Sequence, residues 1–218
     1  MGLKSMGEGI GTLTPRRRRQ PEEARAAALD SARRLLLDHG PNAITLQAVA
    51  RDIGMTHTNL LHHFGSAAAL QSALMRDMVN GLVAAVIEAV ERYRAGTGDI
   101  GEFVDLVFAA FDRGGAARLA AWLSLSGNAE LIRPVGDAVR DYIERFEAGS
   151  PLDTPLRNDL HRRLTSTVLL VIIAACGDAI LGDTLHCAAE RERGAVRNTL
   201  HELMPVISAA ALEREARG

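Results

Sequence analysis

The chain has 218 residues, of which 47% are hydrophobic and 24% charged, ordinary values for a globular protein that exclude disorder throughout. The total charge is only −2, yet residues 16–65 hold eight arginines against five acidic residues. A basic N-terminal quarter on an acidic body places any polyanionic partner at that end. Two cysteines, Cys176 and Cys187, are too few for a zinc site or a disulfide framework and fit a reducing compartment.

Residues 1–20 contain four glycines and the run Arg16, Arg17, Arg18, Arg19, without a hydrophobic period. They read as a flexible basic tail with no apolar core of signal-peptide type, which predicts a cytoplasmic protein. From Pro21 onward alanine and leucine are abundant and apolar residues recur three and four apart, so the fold class is all-α. Nine helices are expected, over 22–38, 45–52, 56–63, 66–93, 99–112, 115–126, 129–147, 155–181 and 188–212. Breaks fall at Gly40-Pro41, Gly54, Gly65, Gly96-Thr97-Gly98, Gly114-Gly115, Gly149-Ser150-Pro151 and Gly182. Leu70, Leu74, Met78, Leu82 and Val86 form one helical face. Val196, Leu200, Leu203, Met204 and Ile207 form another. Pro134 and Pro205 should each kink a helix or mark its end. The longest unbroken apolar run, Val168 to Cys176, has nine residues, too short for a bilayer, so no membrane partner is expected.

Residues 45–64 read TLQAVARDIGMTHTNLLHHF. Thr45 can cap a short helix with Leu46, Val49 and Ile53 on its apolar face, and Thr56 can cap a second one carrying Leu60 and Phe64. Gly54 supplies a left-handed turn between them, and Ala50 is small enough for two helices to cross closely. Small residue, turn glycine and apolar spacing together make a helix-turn-helix pattern, with a basic flank directly upstream. In that motif the second helix enters the major groove by its N-terminal part. Thr56, His57, Thr58 and Asn59 are therefore the expected reading surface, with Leu61, His62 and His63 beside them. Asn59 can meet adenine bidentately, threonine methyls can touch thymine, and His57 can donate to guanine. Thr45 and Gln47 are placed to hold phosphates. Adjacent helical histidines point about 100° apart, and no Cys, Asp or Glu lies at a useful offset, so no metal is expected.

On these residues the chain resembles the tetracycline-repressor (TetR) family of transcriptional regulators. The resemblance starts at ARAAALDSARRLLLDHG (24–40), includes Ile53-Gly54 and His63-Phe64, and runs on through FGSAAAL (64–70). It implies a flexible tail over 1–20, a DNA-binding domain over 21–68 and a helical ligand-binding and dimerisation body over 69–218. It also implies a homodimer on double-stranded DNA, reading an inverted repeat and released by a small-molecule effector, most simply as a repressor. Two positions depart from the family. Leu61 stands where a phosphate-contacting tyrosine is usual, and Ala67 where a lysine opens the fourth helix. The arginine run at 16–19 could compensate as a minor-groove or phosphate arm.

Seven of the eight aromatics lie between Tyr93 and Phe146, which core packing alone would explain. As a pocket for a largely apolar effector, the candidates are Phe103, Phe111, Trp122, Ser126, Asn128, Cys176 and Asp178. Asp178 follows the apolar run and would need a partner if buried; solvent or a dimer seam is the alternative setting. Small residues Ala174, Ala175, Gly177 and Ala179 would let another helix approach closely, as a four-helix dimer seam needs. No nucleophile–base pair, phosphate-binding glycine loop or metal spacing is present, so neither an enzyme nor a cofactor is expected. The competing readings are a helical dimer that has lost specific DNA binding and a small-molecule-binding helical protein.

Overall fold

A computed structural model describes residues 21–127, 129–148 and 154–215. The tail with Arg16, Arg17, Arg18 and Arg19, and the ligand candidate Asn128, lie outside the described residues. Among those described there are helices and turns and no strand. The helices are α1 Pro21–His39, α2 Leu46–Asp52, α3 His57–Phe64, α4 Ala67–Arg94, α5 Glu102–Phe111, α6 Ala116–Leu125, α7 Arg133–Ala148, α8 Thr154–Ala188 and α9 Ala195–Glu215. Short 3-10 turns at Pro41–Ala43 and Ala129–Ile132 precede α2 and α7. The second of these turns occupies the first residues of the helix expected over 129–147, and Pro134 falls in the opening turn of α7. There its missing amide costs nothing, because first-turn amides have no helical acceptor.

The largest departure concerns the end of the chain. No break occurs at Gly182, and α8 continues to Ala188. The chain turns instead over 189–194, with Glu190 at φ 52° and Gly194 at φ 88°, so α9 starts at Ala195 rather than at 188. A mid-helix glycine costs about 1 kcal/mol relative to alanine, but here its bareness has a use. The carboxylate of Asp178 and the ring of His186 meet across Gly182 at 2.7 Å. A Cβ at 182 would lie only 3.1 Å from Asp178 Oδ1. Pro205 sits inside α9 and does not end it.

The core is continuous from the first helices into the body. Ala28, Ala32 and Leu36 of α1 pack with Val49, Leu60 and Phe64, and this cluster joins Leu70, Leu74 and Met78 of α4. The expected α4 face is thus buried, with Leu82 half-buried at its edge. Further along, Phe103, Val107, Phe108 and Phe111 of α5 meet Leu119 and Leu123 of α6 and Val168, Val171 and Ala175 of α8. The expected stripe on α9 divides. Leu200 and Met204 are buried while Val196 and Leu203 are exposed. At about 100° per residue the stripe is too wide for one contact, and only its 200/204 edge turns inward.

α8 divides in the same way. Its inner side carries Val168, Val171, Ala175, Gly182 and His186, while Leu169, Leu170, Ile173, Ile180, Leu181 and Leu185 face outward. By length and composition His161–Ala188 could cross a membrane, with a mean hydropathy of 2.2 over its most apolar window. The nine-residue run understated this, because Gly177, Asp178 and Gly182 interrupt the segment without making it polar.

One buried polar contact ties α4 to the segment ahead of α2: Gln71 Nε2 donates to the Ile44 carbonyl at 3.2 Å. Ile44 is fully buried, so no water could replace that donor. Gln71→Leu is expected to lower unfolding free energy by about 1–3 kcal/mol, measured as a reduced urea midpoint with an unchanged m-value.

Candidate nucleic-acid interface

Two threonine caps set the geometry of the motif. The Thr45 hydroxyl oxygen accepts from the Ala48 amide at 3.1 Å, and that of Thr56 accepts from the Asn59 amide at 3.2 Å. Each stops its helix from starting earlier and leaves its own hydroxyl hydrogen available for a phosphate. Between them the chain reverses at Gly54, φ 67°, where a side chain would be strained. The Met55 amide then returns to the Ala50 carbonyl at 2.8 Å and closes the turn. Ala50 is buried, at the close crossing that its small side chain permits.

α3 is held by two residues on one side. Leu60 is fully buried and Phe64 is 8% exposed, with the Arg25 guanidinium stacked 4.7 Å from the Phe64 ring centre. The other side is open. Thr56, His57, Thr58, Asn59 and His62 are exposed, Leu61 is 40% exposed and His63 is half-buried. Thr45 and Gln47 are exposed at the start of α2. Of the nine described residues expected at DNA, seven around α3 and two at the start of α2, eight are exposed and His63 is half-buried.

Ser66 was not singled out from the sequence, although Ser-x-x before an alanine-rich helix is a cap signal. Its hydroxyl oxygen accepts from the Ala69 amide at 3.0 Å. It therefore opens α4 where Ala67 stands without the family's lysine.

Ion pairs brace the frame rather than the reading face. Arg33 of α1 meets Asp77 of α4 at 2.9 Å, and Arg34 meets Asp52 at the end of α2 at 2.7 Å. The Ser31 hydroxyl and the Arg34 guanidinium hold the Asp52 carboxyl below its ordinary value. No group of three or more His, Cys, Asp or Glu is placed to hold a metal among the described residues.

The ligand candidates do not converge. Phe103 and Phe111 are buried in the core and Trp122 packs against it. Ser126 is exposed, and its hydroxyl donates to the Trp122 carbonyl. Cys176 is half-buried, with its thiol pKa raised by burial. Asp178 faces neither open solvent nor the outward side of α8. Its partner His186, missed in the sequence, is eight residues on and 10% exposed at its side chain. An open cleft of about 430 Å³ lies elsewhere in the body, between α4 and α7, and none of these candidates lines it. Exposed polar residues such as Arg76, Asn80 and Asp141 carried no sequence signal that set them apart from an ordinary solvated face.

The fold and the α2–turn–α3 geometry define a helix-turn-helix DNA-binding protein. Residues 28–74 match the model of the family described as bacterial regulatory proteins, tetR family, so this stretch is a tetR-type DNA-binding domain. Among solved structures, it is similar to the fatty acid degradation regulator FadR from Bacillus halodurans, with a TM-score of 0.52 and 14% identity. That likeness covers 86% of this chain and 96% of the other. A proposed regulatory protein, SCO4313, gives 0.51 and 16%, covering 84% and 96%. The superantigen PfiT gives 0.50 and 17%, covering 86% and 97%. At such identities these three speak for the fold alone. No curated protein matches the chain in sequence.

A charged carboxylate stabilised only in the folded state adds stability above its unfolded pKa, near 3.9, and loses it as pH falls through its lower folded value. Asp52→Asn should therefore reduce the urea midpoint at pH 7 more than at pH 3, with wild type and variant converging in acid.

Proposed function

We propose that the protein is a homodimeric, ligand-responsive repressor that binds an inverted-repeat operator and is released by a small molecule. The observation that carries the reading is the exposed side of α3, from Thr56 to His62, on a helix anchored by Leu60 and Phe64. In this reading residues 21–68 are the DNA-binding domain, 1–20 a basic arm through Arg16–Arg19, and 69–218 the effector and dimerisation body. Asn59 and His57 read base edges, Thr58 and Leu61 offer methyl groups to thymine, and Thr45, Gln47 and His63 hold the backbone. Leu61 cannot donate to phosphate as the family's tyrosine does. It exchanges a sequence-independent contact for an apolar one, which shifts the balance from affinity towards sequence reading. The protein acts in the cytoplasm, where the duplex is.

Dimerisation is supported by the outward side of α8. Ile173 is 67% exposed and Leu185 59%, within a stripe that Leu169, Ile180 and Leu181 continue and that exposed Val196 and Leu203 of α9 extend. A Cβ placed on Gly177 would meet nothing within 4 Å, so a neighbouring helix could approach closely there. A contiguous apolar patch of this extent is uncommon on a monomer. A two-fold seam of α8 and α9 from each subunit would cover it and present both α3 helices to one side of the DNA.

The test is fluorescence anisotropy on DNA from upstream of the protein's own reading frame, at fixed salt. Wild type should bind an inverted repeat, and Asn59→Ala should weaken it by about 1–3 kcal/mol while leaving the fold intact by circular dichroism. A folded dimer that fails to bind any such repeat at low salt would favour the reading in which DNA binding has been lost. Independently, Ile173→Asp should shift the sedimenting species from dimer to monomer and remove high-affinity operator binding.

A further inference from the structure

We propose that DNA binding by this domain is coupled to proton uptake, with protonated histidines on α3 supplying the positive charge that meets phosphates and guanine edges. The proposal rests on the DNA-binding reading above and adds to it the proton as a regulating ion. Between Thr45 and Ser66 the fixed charges are Arg51 and Asp52, which cancel, and the other titratable groups are His57, His62 and His63. The helix-turn-helix is therefore neutral while these three are unprotonated and gains one positive charge with each proton that they take up. His57 and His62 are exposed and His63 is half-buried, so solvent and duplex both reach the first two directly.

The elements packed against α3 add little charge that is not already engaged. On α2, Arg51 is exposed next to Asp52, and Asp52 is paired with Arg34 of α1. Residues 67–74 of α4 include no charged side chain. The first charges on that helix are Arg76 and Asp77, and Asp77 is paired with Arg33 of α1. On α1 the Arg25 guanidinium is stacked on the Phe64 ring, and Glu22 and Glu23 are exposed in the opening turn. Among the described residues no carboxylate lies within ion-pair distance of His57, His62 or His63.

A polyanion favours the protonated form of a histidine beside it, and histidine is the side chain that ordinarily titrates between about pH 5 and 8. Protonation also changes what the ring can read. A neutral imidazole has one donor and one acceptor, whereas the protonated ring has two donors. Two donors suit phosphate oxygens and the N7 and O6 acceptors of guanine. The rings of His62 and His63 are 6.2 Å apart, a spacing at which two positive charges repel, and phosphate oxygens brought against them offset that repulsion. Because positive charge is gained on binding, affinity is highest in mild acid and falls as pH rises through the histidine range. Arginines, at 16–19 or on α1, stay charged throughout and contribute no such slope.

The test uses the full-length protein and the upstream duplex, labelled with a rhodamine whose emission does not titrate in this range, at fixed low salt. Wild type should bind about tenfold tighter at about pH 6 than at about pH 8, with circular dichroism and sedimentation unchanged between them. His57→Gln with His62→Gln should cut that ratio to about threefold or less. His62→Arg, cationic at every pH, should raise affinity at about pH 8 by about threefold or more. Calorimetry at about pH 7 in PIPES and in imidazole buffer should give binding heats that differ by the protons taken up, and the double glutamine variant should narrow the difference. A wild-type ratio of about twofold or less, equal heats in the two buffers, or a ratio unchanged in the double variant overturns the proposal and leaves the DNA-binding reading standing. A folded protein that binds the duplex at neither pH overturns both.

Discussion

An eight-residue helix has almost no stability of its own in water, because nucleation fixes several residues before bonding returns anything. α3 exists because Leu60 and Phe64 are buried against α1, α2 and α4, and because the Thr56 hydroxyl satisfies an amide that the helix cannot. Everything proposed for DNA reading depends on that one-sided anchoring. It fixes the rotation of the helix about its axis, and the rotation decides that His57, Thr58, Asn59 and Leu61 face away from the protein. Without Ala50 at the crossing and Gly54 in the turn, the two short helices could not come together at this angle.

The body inherits its behaviour from two long helices used in different ways. α4 belongs to both halves of the molecule. Its N-terminal turns are bonded to α1 and to the chain before α2, and its middle forms a wall of the cleft against α7. α8 instead divides across its width, with one side in the core and the other presenting leucine and isoleucine outward. A helix that is apolar all round is ordinarily covered all round, and this chain covers one side of α8. The Asp178–His186 pair sits on the inner side, where the bare backbone of Gly182 lets the two side chains meet.

The helical class, the helix-turn-helix and its exposed side were legible in the sequence because each rests on local chemistry. A cap needs a hydroxyl three residues before the amide that it serves, a left-handed turn needs glycine, and an anchored face needs leucine and phenylalanine four apart. Thr45, Thr56, Gly54, Leu60 and Phe64 meet those demands within a window of twenty residues. Other features were not legible for an equally physical reason. The stripe Val196–Leu200–Leu203–Met204 looks uniform along the chain, and only the position of α5 and α8 determines which edge is buried. Phe103, Phe111 and Trp122 have the composition of a pocket, but composition does not separate a pocket lining from a filled core.

Gly182 shows the boundary most clearly. Read locally it is a helix breaker, but in the folded chain it is the gap over which Asp178 reaches His186. That contact lies eight residues apart and on the inner side of a helix, so nothing within a short window announces it. The amino-acid sequence by itself determined the helical class of the described residues, where the helix-turn-helix lies and which of its side chains are held outward. Only the tertiary structure decided which side of α8 is left exposed and that an open cleft lies between α4 and α7. Both depend on how helices far apart in the chain are packed, and packing is a property of neighbours that the order of residues along one helix does not contain.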